Sequence, residues 1–126
     1  MDNEKLYVVV RSDLPAGAML AQSAHAAVAF GFRHPELAAE WFWDSNNLVI
    51  LETPDEASLR ALVTNARVAR IPYVLFSEPD FDMAATAAAF GKEAKKMLRG
   101  LSLALRERPT SSSGSRAPRA SPVVGA

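Results

Sequence analysis

The chain begins its ordered pattern with an uninterrupted apolar run, Leu6-Tyr7-Val8-Val9-Val10. Its β-branched residues predict a strand buried on both faces. Asp13-Leu14-Pro15 breaks that strand. Pro15 suits the first turn of a helix, where its missing N–H would have no intrahelical partner. From about Gly17 to Arg33 an alanine-rich stretch predicts that helix. At about 100° per residue, Leu20, Ala24, Ala27, Val28 and Gly31 share one face, small enough to lie close against a sheet. Gln22, His25, Ala29 and Arg33 then point the other way.

His34-Pro35 ends the first helix, and Glu36 to Phe42 predicts a second, shorter one. Trp41 and Trp43 diverge on it, so core packing is expected for at least one of them. Asp44 to Asn47 is a turn, and Leu48-Val49-Ile50-Leu51 reads as a second buried strand. A third helix follows, with Thr53 as N-cap, Pro54 as its first residue and Glu56 completing a capping box. Leu59, Leu62, Val63 and Ala66 form its apolar face, with Arg67 and Arg70 near the negative end of the dipole. Tyr73 to Phe76 predicts a third strand, Ser77 to Asp82 an acidic loop, and Thr86 to Phe90 a fourth strand. Gly91 to Leu98 reads as a short basic helix.

Strands alternating with helices imply right-handed βαβ units. The expected fold is therefore α/β: a single three-layer domain with an about four-stranded, mixed or parallel sheet and helices on both faces. Ligands in such sheets bind at the carboxyl ends of the strands. Arg11-Ser12-Asp13, Glu52-Thr53 and Ser77-Glu78 lie there.

Length and composition narrow the picture. A chain of 126 residues suits one domain. It is expected over residues 1–106, with a disordered Ser/Pro/Arg-rich tail over 107–126 that has too few apolar residues to repay ordering. No apolar run approaches the roughly 20 residues of a membrane span. The acid-bearing start, Met1 to Lys5, is unlike a secretory leader, and a cytoplasmic protein is expected. There is no cysteine, and His25 and His34 are too few for a zinc site, so neither metal nor cofactor is expected.

Net charge is zero but unevenly spread. Residues 1–91 hold 6 Lys/Arg against 12 Asp/Glu, whereas residues 92–126 hold 8 against 2. The asymmetry points to an anionic partner near the C-terminal end, or else to a solvated basic helix. DNA and membranes are not expected partners, and a homodimer is left open.

Two stretches resemble the type-II peptidyl-tRNA hydrolases, which free tRNA from peptides dropped by stalled ribosomes. Tyr7-Val8-Val9-Val10-Arg11-Ser12-Asp13-Leu14, followed by Ala21-Gln22-Ser23-Ala24-His25-Ala26, is similar to the family's opening strand, Arg-Thr-Asp-Leu turn and Ala-Gln-x-x-His-Ala helix. Ile71 to Glu78, with Thr86 to Gly91 beyond, is similar to its third strand, which ends in a catalytic aspartate, and to its last strand. Glu78 stands at the aspartate's position. The family's glycine- and lysine-rich loop, with its functional lysine, is here Pro15-Ala16-Gly17-Ala18-Met19-Leu20, shorter and without lysine.

The resemblance implies hydrolysis of the ester between a peptide and the terminal ribose of tRNA. Such a reaction needs a positioned water, a base and donors for the oxyanion. Glu78 is the candidate base and Asp13 the other candidate carboxylate; both are equally residues that cap turns. Gln22 and His25 lie one turn apart on a helix and could touch each other or the ribose. Thr86 resembles the family's functional threonine. Arg11, Arg33, Lys92, Lys95 and Lys96 are candidates for contacts to tRNA. The alternative is a non-catalytic tRNA- or protein-binding module of the same fold.

Overall fold

The computed structural model describes residues 4–106. Strand β1 (Lys5–Arg11) leads into helix α1 (Ala16–Arg33) and helix α2 (Pro35–Asp44). Strand β2 (Asn47–Thr53), helix α3 (Glu56–Val68) and strand β3 (Tyr73–Glu78) follow. A single 3-10 turn (Pro79–Phe81) then precedes strand β4 (Ala84–Phe90). Another (Lys92–Ala94) comes before a two-residue strand, β5 (Ser102–Leu103). The tail expected over 107–126 lies outside the described residues.

The five strands form one mixed sheet in the order β3-β4-β1-β2-β5. β1 and β2 are parallel, β4 runs antiparallel to both β1 and β3, and β5 runs antiparallel to β2. The expected three-layer α/β domain is therefore present, with one strand more than the apolar runs suggested. β5 escapes sequence reading because two exposed residues carry no alternation.

Period-2 alternation divides β1 between two cores. Tyr7 and Val9 pack with Leu59, Val63 and Ala66 of α3, while Leu6, Val8 and Val10 pack with Met19, Ala26 and Phe30 of α1. The all-alanine stretch of β4 lets both helices approach closely, and Ala87, Ala88 and Ala89 are fully buried.

The buried stripe of α1 differs from the expected one. Leu20 and Val28 are 60% and 59% exposed, while Met19, Gln22, Ser23, Ala26 and Phe30 face the sheet. Two of these are polar, and one of them, Gln22, is expected on the outward face. Both are satisfied in the interior: the Ser23 hydroxyl donates to the Met19 carbonyl at 2.7 Å, and Gln22 is bonded at both ends of its amide. The ring of Phe30, fully enclosed, then fixes the helix's rotation.

Three further elements depart from expectation. α3 begins two residues late: Asp55, not Thr53, is its N-cap and accepts from the Ser58 N–H at 2.8 Å. Thr53 is instead the last residue of β2, paired with Arg11, and its carbonyl accepts from the Ser12 N–H. The sheet's register thus outweighs the capping signal. β2 is only partly buried, as it borders the short β5. Residues 92–100 make turns rather than a regular helix, ending at Gly100 with a φ of 98°. Trp41 is half-buried and donates its indole N–H to the Asn47 carbonyl, whereas Trp43 is 81% exposed.

Candidate active site

β1, β2 and β3 point the same way, so their carboxyl ends share one edge of the sheet. Glu78 ends β3 there, and Gln22 and His25 approach on α1, which starts from that edge. One oxygen of the Glu78 carboxylate accepts from the Gln22 side-chain amide at 2.7 Å, and the other from the Asp80 N–H at 3.1 Å. Glu78 therefore caps the turn after β3 and still has lone pairs free. On the other side, the Gln22 amide oxygen accepts from the Thr86 hydroxyl at 2.6 Å. An ionised carboxylate only accepts, so the Gln22 amide nitrogen must face Glu78 and its oxygen Thr86. The direction of the chain Thr86–Gln22–Glu78 follows.

His25 completes the cluster, with Nε2 4.0 Å from Glu78 Oε1. Its ring stacks on Phe76, with centroids 4.9 Å apart and planes 28° apart. His25 is half-exposed, whereas Glu78 is only 12% exposed. The Gln22 hydrogen bond, then the Asp80 N–H and the nearby His25, hold the Glu78 carboxyl below its usual range despite some desolvation. It is ionised near neutral pH.

Thr86 reaches this cluster through a break in strand alternation. Phe76 pairs with Ala87 and Ser77 with Ala85, so Thr86 is the extra residue of a β-bulge. Phe90 and Ala88 face α3. Unbroken alternation would send Thr86 to that side too, but the bulge turns its side chain toward α1 instead.

Asp13 belongs to a second cluster. Arg11 grips it with two hydrogen bonds of 2.9 Å, and its carboxyl is held below the usual range chiefly by that guanidinium. A third Arg11 bond, of 3.0 Å, reaches the Ala85 carbonyl. Asp13 is thus neutralised by an arginine and orients the turn after β1.

The basic candidates are not gathered at this edge. β4 starts beside Glu78 and runs away from it, so residue 91 begins about 20 Å off, at the opposite edge. Lys92 there pairs with Glu4, which precedes β1, at 2.9 Å. Arg33 also lies toward that far edge, since the next residue, His34, bonds the carbonyl of Tyr73 at the start of β3. Lys95, Lys96 and Arg99 are exposed along the segment that crosses the α3 face back to β5, anchored by buried Ala94 and Leu98. Of the expected site residues, Glu78, His25, Gln22 and Thr86 come together; Asp13 and Arg11 form a neighbouring pair. The sequence marks Phe76, the platform under His25, only as a strand residue, so its place in the site is not legible there.

The chain matches the family described as peptidyl-tRNA hydrolase PTH2 over residues 4–103. It belongs to that family. The bovine protein named peptidyl-tRNA hydrolase 2, mitochondrial, is 40% identical over 70 residues, covering 51% of this chain and 39% of that one. The human protein of the same name is 36% identical over 70 residues, with the same coverage. The match thus spans about two fifths of those relatives' length. A solved structure of a protein of unknown function from Agrobacterium tumefaciens has the same fold. Its TM-score is 0.61 at 17% identity, covering 82% of this chain and 98% of that one. No helix among the described residues is long and apolar enough to cross a membrane.

Proposed function

We propose that this chain hydrolyses the ester of peptidyl-tRNA, with Glu78 as the general base. The observation that carries the reading is the series Thr86–Gln22–Glu78, which fixes an ionised carboxylate at the sheet edge beside His25. Glu78 takes a proton from water as the water attacks the ester carbonyl, and that proton passes to the ribose oxygen as its bond to the acyl carbon breaks, giving the peptide acid and free tRNA. Half-exposed His25 would hold the water or, through an Nε2 proton, the developing oxyanion, while buried Gln22 and Thr86, bonded to each other, orient the carboxylate. Family membership and relatives named as peptidyl-tRNA hydrolases support the substrate. The exposed Lys95, Lys96 and Arg99 supply phosphate contacts on the α3 face, away from the reacting bond. The reading includes a cytoplasmic setting on composition alone.

The test is release of peptide from purified peptidyl-tRNA. Glu78→Gln should lower kcat by about 100-fold or more, the usual contribution of a general base, while tRNA affinity stays within a few-fold. Unchanged turnover in that variant would remove Glu78 from the mechanism.

A second reading is favoured by one observation: the stretch from Pro15 to Leu20, which opens α1, contains no lysine. A tRNA-binding module without chemistry would bind peptidyl-tRNA in a salt-sensitive way and release nothing.

A further inference from the structure

The bulge that aims Thr86 is held in place from outside the sheet. The ladder between β1 and β4 ends at Val10 and Ala87. Ala85, fully buried two residues earlier, therefore has backbone groups beyond the reach of that ladder. Side chains take them. The Ala85 carbonyl accepts from Arg11 Nη1 at 3.0 Å, and the Ala85 N–H donates to Glu56 Oε2 at 3.0 Å. Arg11 Nη1 and Glu56 Oε1 are themselves 3.9 Å apart. One residue is thus clamped at both of its main-chain polar groups by an arginine from β1 and a glutamate from α3.

We infer that Arg11 and Glu56 are positioning residues, which hold the bulge at Ala85 so that Thr86 points at Gln22 and, through it, orients Glu78. Three observations converge on this. Three of the five N–H donors of Arg11 are taken by Asp13, twice, and by Ala85, and its side chain is only 16% exposed, which leaves little of the guanidinium for a phosphate. Arg60 bonds the same Glu56 oxygen at 3.1 Å from the next turn of α3, fixing that carboxylate's rotamer. The clamped residue immediately precedes the bulged one, so a shift at Ala85 moves Thr86 directly. A buried N–H left without an acceptor relaxes the backbone toward another partner, and here that relaxation would rotate Thr86 away from α1.

The inference rests on the hydrolase reading for its kinetic test and not for its structural one. In peptide release, Glu56→Ala should lower kcat about tenfold or more with KM within about threefold, the signature of lost transition-state positioning. Glu56→Gln keeps an oxygen for the Ala85 N–H and should retain activity within about threefold of the parent. In a Thr86→Ala background, Glu56→Ala should cost less than about twofold further, because the two changes break one linkage. Full multiplication of the two losses would overturn the clamp. So would an unchanged kcat in Glu56→Ala.

The second measurement needs no turnover. Hydrogen exchange of the Gln22 side-chain amide, followed by NMR, should accelerate at least about tenfold in Glu56→Ala while the backbone amide of Val9 stays protected. Unaltered Gln22 exchange would sink the inference even if the protein proved inactive. If the wild-type chain releases no peptide yet Gln22 exchange responds, the hydrolase reading fails and the clamp stands. Should Glu56→Ala not fold, Arg11→Lys serves instead, since an ammonium cannot span Asp13 and Ala85 as the planar fork does. The same two outcomes are expected and the same two overturn it.

Discussion

The Thr86 hydroxyl and the Gln22 amide oxygen are 2.6 Å apart although 64 residues separate them in the chain. Both side chains are buried, and each leaves the other unsatisfied if it is removed. Thr86→Val keeps the shape and deletes the hydroxyl. It should cost about 1–3 kcal/mol of stability, from the acceptor left unpaired in the interior. Thr86→Ser should recover most of that. Urea unfolding checks both, and equal stability of Val and wild type would mean that water replaces the hydroxyl.

Acid should loosen the protein through a defined set of carboxylates. Asp13 is held below its usual range chiefly by Arg11, Glu56 by the Ala85 N–H, Glu78 by Gln22, and Asp55 by the Ser58 N–H. Each has a lower pKa folded than unfolded, so its contribution is complete above the unfolded value and is lost as pH falls through the folded one. Stability should therefore be flat near neutrality and decline from about pH 4.5 downward. Glu56→Gln should show a shallower decline in thermal scans across that range.

The same direction governs activity. With Glu78 held below the ordinary glutamate value of 4.5, its acid limb in kcat/KM should lie below that pH. Gln22→Ala removes the largest cause of the depression and should move the limb upward. A limb that stays in place would mean that another group sets the profile.

Helix α3 should depend on Asp55 rather than on Thr53. Asp55→Ala should lower Tm by a few degrees, because it leaves the Ser58 N–H without its acceptor, and Asp55→Ser should restore most of the loss. A Tm that does not respond would mean that the helix's first turn is satisfied by solvent.

Binding of tRNA, under the proposed function, should draw on the return segment. Lys95, Lys96 and Arg99 are exposed, whereas Lys92 is engaged with Glu4. Replacing Lys95, Lys96 and Arg99 together by Ala should flatten the log–log salt dependence of tRNA binding by about 2 to 3 units. Lys92→Ala should change it less. Salt-independent binding in the wild-type chain would remove the phosphate contacts from this surface.

The α/β class, the buried β1 and the helices' approximate spans are legible in the sequence, and a family resemblance marks Gln22, His25, Glu78 and Thr86 as candidates among others that lie elsewhere. Those features are written locally, in apolar runs, breakers and a motif whose spacing puts Gln22 and His25 one turn apart. How the site residues meet depends instead on packing between elements far apart in the chain. The rotation of α1 depends on interior partners for Ser23 and for Gln22, which is expected on the outward face. The cap of α3 moved because the pairing of Thr53 with Arg11 extends β2 beyond its apolar run. The distance of Lys92 from the site follows from the antiparallel direction of β4, which no local pattern encodes. The bulge at Thr86 is the clearest case. Its one extra residue is visible only when β3 is laid against β4, since a register shift is a property of two strands together and of neither alone.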